Sequence, residues 1–224
     1  MTLTTYDQLE QGSPEWHDQR RGIVTASVVG KLLSAGGQVA NNDTSRALTA
    51  LLAAERITNY TEPTVMSDDM WRGVMDEPIA RDKYAEHNAP VTEVGFMVEN
   101  KWGYSIGYSP DGLVGDDGLI EIKSRRQKKH LQTILSREVP PENYAQLQCG
   151  LLVSGRQWCD YVSYCGGMPL WTCRVTPDPR WQGSIVAAVA QFETTAAEMV
   201  ATYATHTEGL PATERTVETL EVTF

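Results

Sequence analysis

The sequence lacks any long apolar run and any leader-like segment. No stretch approaches the roughly 18–20 apolar residues that a membrane helix requires. Residues 1–16 are polar, without a basic region followed by an apolar one. Internal repeats and Gly/Ser- or Pro-rich linkers are also missing. We therefore expect no membrane association and a single packed cytosolic domain over residues 1–224.

Cysteine is scarce and carries no metal-binding pattern. The four cysteines form no CxxC pair, and no histidine stands at a metal-ligand offset from them. This spacing argues against a zinc or iron–sulfur centre. The sequence instead predicts reduced thiols, in the core or near the surface, at Cys149, Cys159, Cys165 and Cys173.

Positive charge is in short supply but locally concentrated. The chain has 19 Lys and Arg against 29 Asp and Glu, for a net charge of −10, which by itself disfavours a nucleic-acid partner. Residues 121–137, however, carry six basic residues and one acid, a net +5 that leaves −15 on the rest. This basic strip is either a solvated helix face or a surface that binds a polyanion.

Two periodicities alternate along the chain and predict an α/β fold. Helical spacing and capping residues predict helices at about 14–21, 25–33, 45–58, 67–87, 141–153 and 178–205. The helix at 67–87 should have Trp71, Val74, Ile79 and Tyr84 as its apolar face. Period-2 patterns and turn signals predict strands at about 91–98, 102–108, 113–114, 119–123, 158–164 and 170–175. The order favours a mixed central β-sheet flanked by helices.

A set of charged residues stands out among the predicted strands. Asp111 follows a proline where one strand ends and another begins, and Glu121 and Lys123 share one face of a strand whose Ile122 points the other way. Taken singly, the Asp is typical of a turn and Glu-x-Lys of a solvated face. A hairpin that brings them together would instead create an oxygen site for Mg²⁺ from two carboxylates and the Ile122 carbonyl. Lys123 could then orient or deprotonate the attacking water.

These residues resemble the PD-(D/E)xK nuclease superfamily, and the fuller pattern is similar to the phage lambda-type exonuclease (viral recombinase) family. The resemblance extends over residues 16–148. Its blocks are Trp16-His17 with Arg20-x-Gly22-Ile23-Val24-Thr25-Ala26-Ser27, Trp71-x-Gly73-x-x-x-Glu77 with Ala80-Arg81, Ser109-Pro110-Asp111-Gly112-Leu113, Leu119-Ile120-Glu121-Ile122-Lys123 and Tyr144-x-Gln146-x-Gln148. Beyond about residue 155 no motif matches.

The resemblance implies a restriction-endonuclease-like core and assigns roles to further residues. Asp111, Glu121 and the Ile122 carbonyl would bind Mg²⁺, with Mn²⁺ as a substitute, and Lys123 would act on the water. Glu77 matches the family's helix carboxylate that holds water at the metal, and Gln146 matches a glutamine beside the scissile phosphate. An exposed helix acid and a surface amide remain the plain alternatives for these last two.

The N-terminal block is similar to the family's anchor for a 5′-terminal phosphate. It implies that the guanidinium of Arg20, the hydroxyls of Thr25 and Ser27 at a helix start, and Ser109 bind that phosphate. A surface ion pair is the alternative for Arg20, and the adjacent Arg21 could be the anchor instead. We further hypothesise that Arg125 and Arg126 contact the DNA backbone, and we expect Trp16 to be a core residue.

The resemblance implies a Mg²⁺-dependent 5′→3′ exonuclease that prefers 5′-phosphorylated ends of linear double-stranded DNA. It would leave a 3′ single strand for recombination, as a homotrimeric ring with a single-strand annealing protein, encoded by a phage or prophage in a bacterial cytoplasm. Another PD-(D/E)xK nuclease, such as a structure-specific endonuclease, and a non-catalytic DNA-binding module are the alternatives. The acidic tail from residue 207 is expected to pack loosely.

Overall fold

The computed structural model describes residues 3–215. Its helices are α1 Pro14–Arg20, α2 Ala26–Val29, α3 Asp43–Thr58, α4 Asp68–His87, α5 Gln127–Ser136, α6 Pro141–Ser154 and α7 Pro179–His206, with a 3₁₀ turn at Gly30–Leu32. Its strands are β1 Thr4–Tyr6, β2 Val24–Thr25, β3 Phe96–Glu99, β4 Ile106–Tyr108, β5 Gly112–Val114, β6 Gly118–Ser124, β7 Trp158–Tyr164 and β8 Trp171–Val175. Within this part, no helix is both long enough and apolar enough to cross a membrane.

The strands form two four-stranded mixed sheets. In the first, the order is β1-β3-β4-β2, and β2 runs parallel to β4 while the other pairs are antiparallel. In the second, the order is β5-β6-β7-β8, with β6 parallel to β7. The predicted α/β class with mixed sheet pairing is confirmed, and the structure adds that the strands are divided between two sheets.

The division between the sheets falls at the segment that carries the Pro-Asp motif. β4 ends at Tyr108 in the first sheet, and β5 begins at Gly112 in the second. The three residues between them cross from one sheet to the other. A pair of backbone hydrogen bonds between Thr92 and Leu113, at 2.9 and 2.8 Å, attaches the start of β5 to the chain ahead of β3.

Local sequence signals account for most helix boundaries. The Ser13 side chain accepts a hydrogen bond from the Trp16 N–H, and Pro14 occupies the first turn of α1. Asn42 and Ser45 form a reciprocal capping box that starts α3, and Ser67 caps α4. Four features were not predicted from the sequence: the short strands β1 and β2, the helix α5 within the basic strip, and the 3₁₀ turn that ends α2 early.

The predicted apolar face of α4 is wrong for three of its four residues. Tyr84 is buried at 1% exposure, but Trp71, Val74 and Ile79 are 58%, 56% and 50% exposed. Ala80 and Tyr84 are the buried residues of α4 and join a small core with side chains of β6 and β7, whereas Trp71, Val74 and Ile79 lie outside this contact. The first half borders a pocket, described below, and α4 continues through Pro78 without interruption.

The predictions for the cysteines and for the start of the acidic tail can be compared with the structure. All four cysteines are free thiols, three of them buried and Cys173 partly exposed. In the acidic tail, residues 208–215 are exposed. The remaining acids of the tail, Glu218 and Glu221, lie outside the described residues.

Candidate active site

The two carboxylates singled out by the sequence meet at the β5–β6 hairpin. Gly112 pairs with Ile120 across this hairpin, so the chain folds back and sets Asp111 beside β6. The Asp111 Oδ2 atom accepts a hydrogen bond of 2.6 Å from the Ile122 backbone N–H. The predicted hairpin that joins Asp111 to the Glu-x-Lys strand is confirmed.

Glu121 is the most heavily hydrogen-bonded of these side chains. It is 1% exposed, and its Oε1 accepts hydrogen bonds from Lys123 Nζ, at 2.7 Å, and from Gln146 Nε2 on α6. The Tyr108 hydroxyl donates to Oε2 at 3.3 Å. Ile122 points to the opposite face of β6 and packs in the small core, as the period-2 pattern predicts.

Burial and neighbouring charges shift the pKa values of several side chains in this cluster. Burial and then the charge of Glu121 raise the pKa of Asp111 well above its ordinary value. Burial lowers the pKa of Lys123, but the charges of Glu121 and Asp111 outweigh it and raise that pKa overall. Burial and the charge of Glu121 raise the pKa of Tyr108 well above its ordinary value, so Tyr108 remains a hydrogen-bond donor.

Glu77 reaches the same cluster from α4. Burial raises the pKa of Glu77, and Arg81, one turn later, forms an ion pair with it. Arg81 also pairs with Glu93 at 2.7 Å and donates to the Asp111 carbonyl at 2.8 Å. Arg81 therefore attaches the Glu77 side chain of α4 to the Pro-Asp segment.

The donor set of this cluster fits Mg²⁺. Within residues 3–215, no group of three or more His, Cys, Asp or Glu side chains is arranged to hold a metal ion. The cluster does offer the two carboxylates of Asp111 and Glu121, and carboxylate oxygens are hard donors of the type that Mg²⁺ prefers. Burial and then the charge of Glu121 raise the pKa of Asp111, and a cation bound beside Asp111 would favour its ionised form.

A second cluster, next to the first, is suited to an anion. Arg20 Nη1 donates to Ser109 Oγ at 3.3 Å, and Arg20 Nη2 donates to Thr25 Oγ1 and Ser27 Oγ at 3.3 and 3.2 Å. The four residues predicted to bind a phosphate thus converge. Burial lowers the pKa of Arg20 to about 10, while the charge of Glu55 opposes this shift.

The structure also decides between the two adjacent arginines. Arg21 faces away from the cluster, forms an ion pair with Asp18 and donates to Asn59 Oδ1 at 3.2 Å. Among residues 3–215, Arg20 has no surface ion-pair partner. It stacks on Trp16, with its guanidinium carbon 3.9 Å from the ring centroid.

Trp16 is not the core residue that we expected. Its Nε1 donates to Ser109 Oγ at 3.0 Å, and the side chain is only partly buried. α1 contributes no buried residue to the core because it lies along the anion cluster. Trp16 therefore lines the site.

Both clusters open into one pocket with a volume of about 430 Å³. The pocket is lined on the anion side by Trp16, Arg20, Ser27 and Ser109, on the carboxylate side by Glu77, Tyr108, Asp111, Glu121, Ile122, Lys123 and Gln146, and at its rim by Gln11, Asp69, Met70, Gly73, Val74 and Ser124. The sites predicted separately from the sequence are thus parts of a single cavity.

The two arginines proposed to contact DNA have different environments. Arg125 donates to Asn143 Oδ1 and, at 3.0 Å, to the Tyr161 hydroxyl. Arg126 is exposed and pairs with Asp69 at the pocket rim, at 2.7 Å. Only Arg126 projects toward solvent.

Sequence reasoning missed the contributions of Tyr108, Arg81 and Asp69 to the site. The Glu77–Arg81 spacing of four residues on a helix is a signal that could have identified the first ion pair. Tyr108 lies in a strand among apolar residues and carries no local signal. Asp69 forms a local ion pair with Arg72, three residues later, but its second pair, with the distant Arg126, has no local signal.

The fold and the Asp111, Glu121, Lys123 arrangement define a member of the PD-(D/E)xK nuclease superfamily. Residues 15–157, more than half of the chain, match the YqaJ-like viral recombinase domain. The chain belongs to this family. No curated protein sequence matches the chain.

Solved structures agree with this assignment. The chain is 32% identical to an alkaline exonuclease, LHK-Exo, from Laribacter hongkongensis, with 89% of this chain and 100% of that one covered and a TM-score of 0.79. The same enzyme in complex with dAMP matches with a TM-score of 0.80. A phage-related exonuclease from Haemophilus somnus 129PT, 12% identical over 81% of this chain and 96% of that one, shares the fold with a TM-score of 0.64. The two LHK-Exo structures support a nuclease of the exonuclease type, and the Haemophilus structure supports the fold alone.

Proposed function

We propose that this protein is a Mg²⁺-dependent 5′→3′ exonuclease that degrades one strand of linear double-stranded DNA and prefers 5′-phosphorylated ends. The observation that carries the proposal is the single pocket that joins an anion cluster to a carboxylate cluster. A strand end offers a terminal phosphate to the first cluster and a phosphodiester to the second. An interior segment of DNA has no terminal phosphate to offer.

Each cluster has a distinct task in this mechanism. Arg20, Thr25, Ser27 and Ser109 bind the terminal phosphate with a charged fork and three hydroxyls. Asp111, Glu121 and the Ile122 carbonyl would hold Mg²⁺, which when bound polarises the phosphodiester and stabilises the leaving oxygen.

The remaining side chains handle water and its protons. Lys123 Nζ, fixed by Glu121, accepts the proton of the attacking water once it has lost its own. Gln146, which also donates to Glu121, and Glu77, which faces the cluster from α4, orient that water and the scissile phosphate. Tyr108 holds the second oxygen of Glu121 in place.

Comparison with relatives supports the substrate class. LHK-Exo, an alkaline exonuclease, forms a complex with the mononucleotide dAMP. A mononucleotide is the product expected when a terminal phosphate is held one step from the cleaved bond. The viral recombinase family supports a role in phage recombination, in which the exposed 3′ strand is passed to a single-strand annealing protein.

We extend the proposal to assembly and location. A homotrimeric ring around the DNA would keep the enzyme on its substrate, and it would bury apolar side chains that a lone subunit exposes on the first half of α4. These side chains include Met70, Trp71, Val74 and Met75. The protein would act in the cytoplasm of a bacterial host, encoded by a phage or prophage.

The decisive experiment is digestion of a linear duplex labelled separately at each end. Substrates carry either 5′-phosphate or 5′-hydroxyl termini, reactions contain Mg²⁺, Mn²⁺ or EDTA, and Glu121→Ala is the matched inactive control. We expect metal-dependent release of mononucleotides from the 5′-phosphorylated strand and none from the control.

Other outcomes separate the alternatives. Equal cleavage of a closed circular duplex would identify an endonuclease, and binding without cleavage would identify a non-catalytic module. Release from the 3′ end would overturn the proposed polarity while leaving the nuclease assignment intact.

A further inference from the structure

The direction of Arg20 depends on the turn that follows α1. Gly22 adopts a left-handed backbone conformation, with φ of +68°, and the Ile23 N–H donates to the Arg20 carbonyl at 3.3 Å. This turn leads directly into β2 and Thr25, another member of the anion cluster. A shift of the turn would therefore move Arg20 relative to the hydroxyls that it contacts.

Two consecutive residues of α3 hold both polar backbone groups of Gly22. The Gly22 N–H donates to Glu55 Oε2 at 2.8 Å, and the Gly22 carbonyl accepts from Arg56 Nε at 2.6 Å. The space beside Gly22 is closed, since a Cβ atom there would lie 2.6 Å from Arg56 Cγ. Hydrogen bonds from α3 thus hold the Gly22 backbone in place.

Arg56 is in turn held by residues of α7. The terminal nitrogens of Arg56 form two hydrogen bonds of 2.7 Å with the carboxylate of Glu193 on α7. The Arg56 guanidinium carbon also lies 5.1 Å from the centroid of the Phe192 ring. A bidentate pair of this kind has a restricted geometry, so the turn is tied to the α3–α7 layer.

Glu55 is an unusual residue to bury for one backbone contact. It is only 8% exposed, and burial of a carboxylate is costly unless nearby groups compensate it. Its negative charge also acts on Arg20, whose pKa it raises against the effect of burial. The two effects of Glu55 are separable, because glutamine at this position would keep an acceptor for the Gly22 N–H and lose the charge.

We propose that Glu55, with Arg56, is a positioning residue for the terminal-phosphate site: it holds the Gly22 turn so that Arg20 stays aimed at Thr25, Ser27 and Ser109. This inference rests on the proposed role of Arg20 in binding a 5′-phosphate. It adds to that site two residues of α3 that do not line the pocket.

The test compares binding of two short duplexes that differ only in a 5′-phosphate or 5′-hydroxyl. The full chain is used in EDTA, so that affinity is measured without cleavage. Glu55→Ala removes the acceptor of the Gly22 N–H, and we expect it to lower the preference for the phosphate by about tenfold to about a hundredfold. Glu55→Gln keeps an acceptor and should stay within about threefold of the parent.

Three further variants complete the set. Arg20→Ala is the positive control, and Asp18→Ala, which removes the exposed partner of Arg21 on the same turn, is the matched negative control. Arg56→Met removes the donor to the Gly22 carbonyl and serves if Glu55→Ala does not fold. It should lose phosphate preference in the same selective way, with little change in affinity for the hydroxyl duplex.

The outcomes are distinguishable. If Arg20→Ala loses the preference while folded Glu55→Ala and Arg56→Met keep it, the positioning role is overturned and the phosphate site stands. An equal loss in Glu55→Gln and Glu55→Ala would also overturn it, because charge rather than the held turn would then be responsible. If Arg20→Ala keeps the preference, the proposed phosphate site fails and the positioning role fails with it.

Discussion

Ser109 and Asp111 are separated by one proline, yet their side chains belong to the two halves of the same pocket. Ser109 Oγ accepts hydrogen bonds from Trp16 and Arg20, whereas the Asp111 carboxylate accepts from the Ile122 N–H. Two residues of extended chain span at most about 7 Å. A terminal phosphate at Ser109 would therefore stand close to a phosphodiester at Asp111, which suits the removal of one nucleotide at a time.

Ser109→Ala should reduce the preference for 5′-phosphorylated ends without stopping cleavage. The change removes the oxygen that accepts from both Arg20 and Trp16, so two donors of the anion cluster lose a fixed partner. We expect the KM for a 5′-phosphorylated duplex to rise by about tenfold, in keeping with one hydrogen bond to a charged group. Steady-state rates on 5′-phosphate and 5′-hydroxyl duplexes would measure this, and equal changes on both would contradict it.

Asp111→Asn should abolish cleavage and at the same time stabilise the metal-free protein. Burial and the charge of Glu121 raise the pKa of Asp111, so the ionised carboxylate destabilises the folded state and its removal relieves repulsion. We expect a gain of about 1 kcal/mol, or about 2–4 °C in Tm. The gain should shrink as pH falls through the raised pKa, because the parent carboxyl is then neutral.

Thermal unfolding with and without Mg²⁺ provides the measurement. Mg²⁺ should raise the Tm of the parent, since a ligand that binds only the folded state stabilises it, and should have little effect on Asp111→Asn. Asp82→Asn, an exposed acid on α4, is the matched control and should match the parent in both conditions. A lower Tm for metal-free Asp111→Asn would contradict the repulsion argument.

The reaction should accelerate toward alkaline pH if Lys123 is the base. The charges of Glu121 and Asp111 outweigh burial and raise the pKa of Lys123, which must lose its proton before it can accept another. The rate should therefore climb across pH 7–9.5 at saturating Mg²⁺ without a plateau. A flat profile over this range would exclude Lys123 as the base and leave it an electrostatic role.

Local sequence signals predicted the central charged residues of the site better than the residues that surround them. Pro110-Asp111 and Glu121-x-Lys123 were identifiable because a turn and a period-2 strand determine where those side chains point. Whether Arg20 or Arg21 entered the pocket could not be predicted, since the choice depends on Asp18 and on Asn59, a residue distant in sequence.

The surfaces of α1 and α4 were mispredicted for a related reason. Apolar side chains at helical spacing indicate a core-facing stripe only when another element covers them. Trp71 and Val74 lie on the half of α4 that borders the pocket, and Trp16 lies on a helix that contributes nothing to the core. Burial of this kind depends on long-range packing that no local pattern reports.

Gly150→Ala should weaken the site by disturbing the packing of α6 on Tyr108. A Cβ atom at Gly150 would lie 2.7 Å from Tyr108 Cζ, so α6 can pack here only without a side chain. We expect a loss of about 1–3 kcal/mol in the free energy of unfolding and a lower kcat, because displaced Tyr108 no longer donates to Glu121. Gly183→Ala, where a Cβ would meet nothing within 4 Å, is the control on α7, and equal effects of both would contradict the steric argument.

Arg126, rather than Arg125, should account for the salt dependence of DNA binding. Arg125 donates to Asn143 and Tyr161, whereas Arg126 is exposed and forms an ion pair with the exposed Asp69. An exposed ion pair contributes little to stability, so a DNA phosphate can take the place of Asp69 at small cost. Arg126→Ala should reduce the slope of log K against log salt by about 0.9, the value for one lost phosphate contact.

Asp69→Asn tests the same pair from its acidic side. It frees Arg126 and Arg72 from a competing carboxylate, so duplex binding should tighten, whereas Arg125→Ala should lower the Tm and leave the salt slope unchanged. Fluorescence anisotropy with a labelled duplex in EDTA, from about 50 to about 200 mM salt, would give all three slopes. The opposite result would be an unchanged salt slope in Arg126→Ala and a reduced slope in folded Arg125→Ala. Arg125 would then be the residue that contacts a DNA phosphate, and DNA binding would break its hydrogen bonds with Asn143 and Tyr161.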